Sequence, residues 1–349
     1  MEISLKKIIF VQDISNAKLM EFKKLIDRGA ELERMNEALH REDTQFVVIY
    51  GRRRIGKSEL IKRIVKARHK AIYFLSDTSS ETVQRVAFSK VAASVIDGFD
   101  KVIYPDWETL FRSFNNQLSE RMLVCLDEFP YLVKSCDVLP SIIQKLLNEK
   151  ILKFDLILCG SSQQLMHGYV LNRQSPLYGL ANEIIKMQPI PARYISMAME
   201  CDAVQAVEEY AIWGGVPRYW ELRRDYPDKE TAIRKVLLDP QEPLIEEPQR
   251  LLRDDMRDTV QASTLLTIIG NGANKLSEIA TRAGKDSSTI SEPLRSCEIS
   301  AMLVEKFLLV RVLRKVRRGF TISMILFYVF TISLLCLIVL FWNWEEWIW

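Results

Sequence analysis

Paired thiols are the clearest absence in this sequence. Its six cysteines stand at 125, 136, 159, 201, 297 and 336, with no CxxC pair and no histidine at ligand spacing. That excludes a disulfide scaffold and a zinc site and points to a reducing compartment, hence a cytoplasmic location. Cys125 and Cys159 lie inside apolar runs, where a free thiol behaves as a small hydrophobe. Charge of one sign is also lacking: 48 Lys and Arg face 45 Asp and Glu, a formal +3. A polybasic nucleic-acid coat and an acidic solvating chain are both excluded, although a local basic patch is not. No signal peptide is visible, because Lys6 and Lys7 are followed only by IIFV before Gln12 and Asp13. No internal repeat stands out.

What is present has a globular composition, 48% apolar and 27% charged, over a length that predicts two or three domains at roughly 150 residues each. The averages combine two unlike pieces. Residues 306–349 carry a balance of +4 and four of the seven tryptophans, leaving −1 for residues 1–305. Met20 offers a second start, and residues 1–24 read as a loosely attached extension. A helical spacing of Leu32, Met35 and Leu39 ends near His40. FVVIY (46–50), AIYFL (71–75), MLVCL (122–126) and DLILC (155–159) are apolar runs of strand length, separated by helical patterns such as SELIKRIVKA (58–67) and SIIQKLLNEKI (141–151). Strands alternating with helices predict an α/β fold, a parallel sheet covered on both faces. From about 195 the pattern turns helical, and DPQEPLIEEP (239–248) reads as a linker.

Directly after the first strand comes GRRRIGKS, residues Gly51, Arg52, Arg53, Arg54, Ile55, Gly56, Lys57 and Ser58. It fits GxxxxGK[ST] with a strand before and a helix after, the pattern of a P-loop that cradles phosphates. The two glycines permit backbone angles and close approach that a β-carbon would block. Successive amides and the helix N-terminus then face the anion. Lys57 would reach the β- and γ-phosphates of ATP, and Ser58 would ligate Mg²⁺. The three arginines occupy loop positions committed to phosphate and are not counted as a nucleic-acid patch.

A P-loop needs a second acidic element, and MLVCLDE (122–128) supplies it at the carboxyl end of a strand, where ligands of open α/β sheets bind. Asp127 would hold the Mg²⁺ shell, and Glu128 would orient or deprotonate the attacking water, which favours an ATPase over a nucleoside kinase. DLILC runs into Gly160, Ser161 and Ser162. Either serine could sense the γ-phosphate or hold the lytic water; turn and helix-cap chemistry explains them equally well.

GRRRIGKS, LDEFPYL, LCGSS, SPLYG and WGGVPRYW, in this order, resemble the archaeal-type AAA-like P-loop ATPases, from about residue 22 to about 306. The resemblance implies an ATPase domain over 25–194 with an extra strand between the P-loop strand and the acidic strand. It also implies a helical lid over 195–250, in which Gly215 and Pro217 form a turn beside the adenine. Two positions depart from the family pattern. Gly29, not Glu, follows Arg28, and Leu180 stands where an Arg follows SPLYG; Arg173 is a conceivable substitute. The expected function is an ATPase that uses Mg²⁺ and hydrolysis to switch its lid and C-terminal module. The alternative is a nucleotide-gated binding module with little turnover, a DNA-associated regulator or a membrane-tethered scaffold.

Residues 251–306 have the rhythm of a winged helix, with KLSEIATRAG stopped by Gly284, a cap at Ser287 or Ser288, and a second helix over roughly 288–297 interrupted by Pro293. Lys285 and Arg295 face Asp286, Glu292 and Glu298, so packing on the core or on a protein partner competes with DNA reading. The tail over 307–349 is basic and then apolar, and residues 320–344 would serve as a membrane anchor behind Arg314, Lys315, Arg317 and Arg318. The competing reading is a shifted frame or a truncation, because RRGFTIS still resembles the start of a further soluble domain. The oligomeric state is not legible.

Overall fold

The computed structural model describes residues 27–299, apart from positions 69, 243, 245, 257, 272 and 274. The extension over 1–24 and the tail over 307–349, with its anchor reading, lie outside the described residues. Among the described residues, no helix is long and apolar enough to cross a membrane.

Five strands, β1 (Phe46–Tyr50), β2 (Ala71–Leu75), β3 (Met122–Asp127), β4 (Phe154–Gly160) and β5 (Glu183–Lys186), form one sheet in the order β2-β3-β4-β1-β5. Every pair is parallel. The expected α/β class holds, and the strand inserted between the P-loop strand β1 and the acidic strand β3 is β4. The runs of β1, β3 and β4 were legible because a strand buried on both faces must be apolar at successive residues. β2, at the edge of the sheet, buries only Ile72 and Phe74 and was legible because its other positions are apolar or aromatic too. β5 gave no such signal: EIIK is four residues long and buries only Ile185.

Alternation divides the strand side chains between two cores. Val47, Ile49, Leu123, Cys125, Ile157 and Cys159 face α1 (Gly29–Leu39) and α2 (Lys57–Ala67). Phe46, Val48, Phe74, Val124, Leu126 and Phe154 face α3 (Glu81–Ala92), α4 (Trp107–Gln117), α5 (Phe129–Ser135) and α6 (Leu139–Asn148). Phe88 of α3 is fully buried and makes edge-on contacts with Phe74, Trp107, Phe111 and Phe114, with ring centroids 5.5–6.0 Å apart. α6 stops earlier than the apolar spacing suggested, and Lys150 then turns the chain with φ 53°.

At the amino edge of the sheet, Asp155 is fully buried. It accepts from the Gln45 amide at 2.7 Å and from Arg121 at 2.5–3.1 Å. Arg121 also donates to the carbonyls of Arg41, Glu42 and Asp43, so one ion pair closes the α1–β1 connection over the sheet.

Beyond β4, α7 (Gln163–Met166) runs into a single π turn, and β5 leads to the lid helices α8 (Ile195–Met199), α9 (Ala203–Trp213), α10 (Pro217–Arg224) and α11 (Lys229–Ala232). These enclose their own core around Trp213, Trp220, Ile233 and Leu244. Buried Glu209 accepts from the Arg223 guanidinium at 2.6–2.9 Å and from Trp213 Nε1 at 2.8 Å.

The stretch at 239–248 is not an open linker. Leu244 is buried in the lid core, and Glu247 begins α12 (Glu247–Asp255). α13 (Thr259–Gly270), α14 (Leu276–Ala283) and α15 (Ser287–Ile299) follow and enclose Leu265, Ile279 and Ile290. α14 ends as expected at Gly284, φ 63°. Pro293 lies inside α15 without ending it, and the Asp286 carbonyl, one residue before Ser287, takes the first helical bond, from Ile290 N at 3.3 Å. Any wing lies outside the described residues.

Candidate nucleotide site

Because the sheet is parallel, the chain leaves β1, β3 and β4 at one edge, and this brings the P-loop, the acidic pair and the Ser161–Ser162 turn together. Gly51 opens the loop with φ 151°, and a β-carbon there would lie 2.5 Å from the Met187 carbonyl. No other residue fits that approach. Gly56 (φ 95°) immediately precedes α2, and Ile55 is fully buried in the core under the loop. Arg28, 3% exposed, fixes the loop from behind, donating to Ile55 O at 3.0 Å and to Gln188 O at 2.8 Å. Its carboxylate partner is Glu31, at 3.0 Å, three residues on in the chain, where the family pattern has an adjacent Glu.

Lys57 is buried, and its Nζ donates to Arg52 O at 2.9 Å, inside the loop it would share with a phosphate. Fully buried Asp127 is held at both oxygens. Oδ1 accepts from Glu128 N at 2.9 Å; Oδ2 accepts from Ser58 Oγ at 2.6 Å and from the Tyr73 hydroxyl at 2.5 Å. The Asp127 carbonyl takes two bonds from Ser76, at 3.0 Å (N) and 2.6 Å (Oγ). Burial, and then the bond to Asp127, push the Tyr73 phenol well above its ordinary pKa.

Ser58 and Asp127 are hard oxygen donors from one side only. Among the described residues no group of three or more His, Cys, Asp or Glu could enclose a metal. Such a donor set fits a small cation that keeps waters and takes phosphate oxygens for the rest of its shell, as Mg²⁺ does.

Glu128 takes a left-handed backbone, φ 55°, at the turn between β3 and α5. That conformation is uncommon for a residue with a β-carbon, and strain of this kind clusters at functional sites. The turn aims its carboxylate at Ser161, whose Oγ donates at 2.7 Å and 2.9 Å and whose N–H donates at 3.2 Å. The two serines make different contacts. Ser161 faces Glu128, whereas the Ser162 hydroxyl caps α7 by accepting from Leu165 N at 3.2 Å.

The arginines of the loop act partly outside it. Arg52, 3% exposed, has Nη2 3.5 Å from the Tyr219 hydroxyl of α10, and Arg54 pairs with Glu247 of α12 at 3.4 Å. Tyr219 donates to Glu247 at 3.3 Å, and burial pushes its phenol up to about 12. Gly215 packs against the β5–lid connection: Ile190 N donates to its carbonyl at 2.7 Å, and a β-carbon would meet Ile190 O at 2.3 Å. Pro217 starts α10, and Val216 between them enters the core beneath the P-loop. Leu180 packs against the α3–α6 core, and Arg173 is exposed.

Sequence reading missed Tyr73, Ser76 and Glu247. Tyr73 looked like one more apolar residue of a strand; only its register beside β3 reveals the hydroxyl. Glu247 sat in a stretch whose prolines and acids signal solvent.

The family model of ATPase domains predominantly from Archaea matches residues 25–220. An uncharacterised protein of Methanocaldococcus jannaschii is 30% identical over 278 residues, covering 78% of this chain and 60% of that protein. The chain therefore spans about 60% of the length of the curated relative it matches. Among solved structures, the Aeropyrum pernix ORC1 protein in complex with DNA is similar at 16% identity and TM-score 0.46, over 79% of this chain and 84% of that one. The RuvB Holliday junction branch migration motor of Thermotoga maritima is similar at 17% identity and TM-score 0.39, over 76% and 85%.

Proposed function

This chain belongs to the family of ATPase domains found predominantly in Archaea, and on that footing we propose that it binds and hydrolyses ATP with Mg²⁺ to switch its lid and C-terminal helices. One observation carries the reading: Lys57, Ser58, Asp127 and the Glu128–Ser161 pair meet at one sheet edge beside a loop built for an anion. The amides of 51–58 and Lys57 would take the phosphates. Ser58 and Asp127 would hold the cation, whose chemistry when bound is to neutralise phosphate charge. Glu128, oriented by Ser161, would accept the proton of the attacking water.

The switch is supported by the reach of the loop. Arg52 and Arg54 touch Tyr219 of α10 and Glu247 of α12, so a phosphate entering the loop competes with groups that hold the lid and α12. The second reading, nucleotide binding with little turnover, is favoured by Leu180, which packs inward where the family pattern has an Arg.

ATP binding and steady-state hydrolysis by the full chain, Lys57→Ala and Glu128→Gln separate the two. Lys57→Ala should lose binding, and Glu128→Gln should bind but turn over about 10²–10⁴-fold more slowly. Binding without turnover in the wild type would leave the second reading. Equal turnover by Glu128→Gln and wild type would remove Glu128 as the base.

For the C-terminal helices we favour packing against the core or a protein partner over DNA. Around α14 and α15, Arg282 is paired with Glu278 at 2.6 Å, and in the sequence Lys285 and Arg295 stand among Asp286, Glu292 and Glu298. Too little positive charge remains to meet a phosphate backbone. A salt-dependent gel shift lost in a chain ending at 264 would reverse this preference.

A further inference from the structure

We propose that Tyr73 is a positioning residue of the cation site, its hydroxyl fixing the Asp127 oxygen that would face the Mg²⁺ shell. The proposal rests on the nucleotide reading above and adds a residue that neither the P-loop nor the acidic motif contains.

Register puts the phenol there. β2 and β3 are parallel with Tyr73 beside Cys125 and Leu75 beside Asp127. Residues two apart share a face, so Tyr73 and Asp127 project from the same side of the sheet, the side that α2 covers. A tyrosine is long enough to span that diagonal, and its hydroxyl reaches Asp127 Oδ2 at 2.5 Å. The ring is held independently of that bond. It packs against the α1–α2 core, and Lys62 Nζ of α2 lies 5.5 Å from its centroid.

Two hydroxyls therefore converge on one carboxylate oxygen, with Ser58 Oγ at 2.6 Å as the second. Their fates differ when a cation enters. Ser58 belongs to the P-loop, and its oxygen would turn to the cation. Tyr73 belongs to β2 and would keep its bond, while Glu128 N holds the other oxygen at 2.9 Å. With both oxygens restrained, Asp127 presents its carboxylate in one orientation to the waters of the shell, and little ordering remains for binding to impose.

The test is Tyr73→Phe in the full chain, which keeps the ring and removes only the O–H. ATP affinity is titrated with Mg²⁺ and again with EDTA, and the Mg²⁺ concentration at half-maximal binding is measured at fixed ATP. We expect the Mg²⁺-dependent affinity to fall about tenfold, the scale of one hydrogen bond to a charged group. The half-maximal Mg²⁺ concentration should rise in parallel with the EDTA affinity unchanged, while the melting temperature falls by about a few degrees, since the bond to buried Asp127 is lost with or without cation. Equal Mg²⁺ dependence in variant and wild type would overturn the proposal. So would an equal loss with Mg²⁺ and with EDTA, the mark of a merely structural role. A wild-type chain that binds no ATP in either buffer would overturn the nucleotide reading and this proposal with it. A wild type with Mg²⁺-dependent binding that Tyr73→Phe leaves untouched would remove Tyr73 alone.

Discussion

Glu128 and Ser161 are adjacent only because two strand ends are adjacent. Their contact consists of hydrogen bonds at 2.7–3.2 Å, with Glu128 turned by a left-handed backbone. A serine that orients a base should matter to turnover and not to nucleotide affinity. Ser161→Ala is expected to lower kcat about tenfold or more while the ATP Kd stays within about twofold, read by single-turnover kinetics and titration. Ser162→Ala should instead lose a helix cap, about 1 kcal/mol in chemical denaturation, with kcat largely kept. The buried thiols make another test at this scale. Cys125 and Cys159 are fully buried, and burial raises both above the ordinary thiol pKa, so at pH 8 the thiolate is scarcer than in a free cysteine. Thiol-reactive labelling followed by peptide mapping should find both unmodified in the native protein and modified in denaturant, with the partly exposed Cys201 labelled before either. Labelling of Cys159 before Cys201 would contradict the packing described.

Among the elements, β1, β3 and β4 were legible because burial on both faces removes the polar alternation that hides a strand in a surface sheet. β5 escaped notice because it is four residues long, carries a charge at each end and buries Ile185 alone; it exists through its pairing with β1, whereas the other edge strand, β2, is apolar or aromatic throughout. Helix α3 packs on the sheet around the ring of Phe88. Phe88→Ala would empty the space enclosed by Phe74, Trp107, Phe111 and Phe114. A loss of about 3–5 kcal/mol in denaturant unfolding is expected, against less than about 1.5 for Phe88→Leu if the site repacks. At the amino edge, Asp155→Ala would leave the Gln45 amide without its 2.7 Å partner and Arg121 without its carboxylate. Breaking a buried pair in this way costs about 3–5 kcal/mol. The nucleotide edge lies at the far end of the strands, so ATP affinity at a temperature where the variant stays folded should be unchanged.

For the whole molecule, Arg52 and Arg54 tie the lid and α12 to the phosphate loop. Glu247 is 4% exposed and meets Arg54 at 3.4 Å and Tyr219 at 3.3 Å. If a phosphate competes for these arginines, removal of the carboxylate should mimic that effect. Glu247→Ala is expected to open the 239–246 segment to limited proteolysis without nucleotide, as ATP would do in the wild type. A cleavage pattern indifferent to both ATP and Glu247→Ala would argue against the switch. The same contacts explain why 239–248 reads wrongly as a linker. Pro and acidic residues signal solvent exposure on average, but a carboxylate with a cationic and a phenolic partner can be buried.

The sequence by itself determined the sheet's central strands, the phosphate loop and the acidic pair, because each follows from local chemistry: apolar runs, a strand–GxxxxGKS–helix junction, and Asp-Glu closing a strand. It also determined the family, through the order of five short motifs. Only the tertiary structure decided which serine meets Glu128, that Tyr73 shares the Asp127 oxygen, and that Arg54 leaves the loop for Glu247. These are contacts between residues 33, 54 and 193 positions apart. Strand register and helix docking create them, and no local pattern encodes which side chain will face which across a parallel sheet.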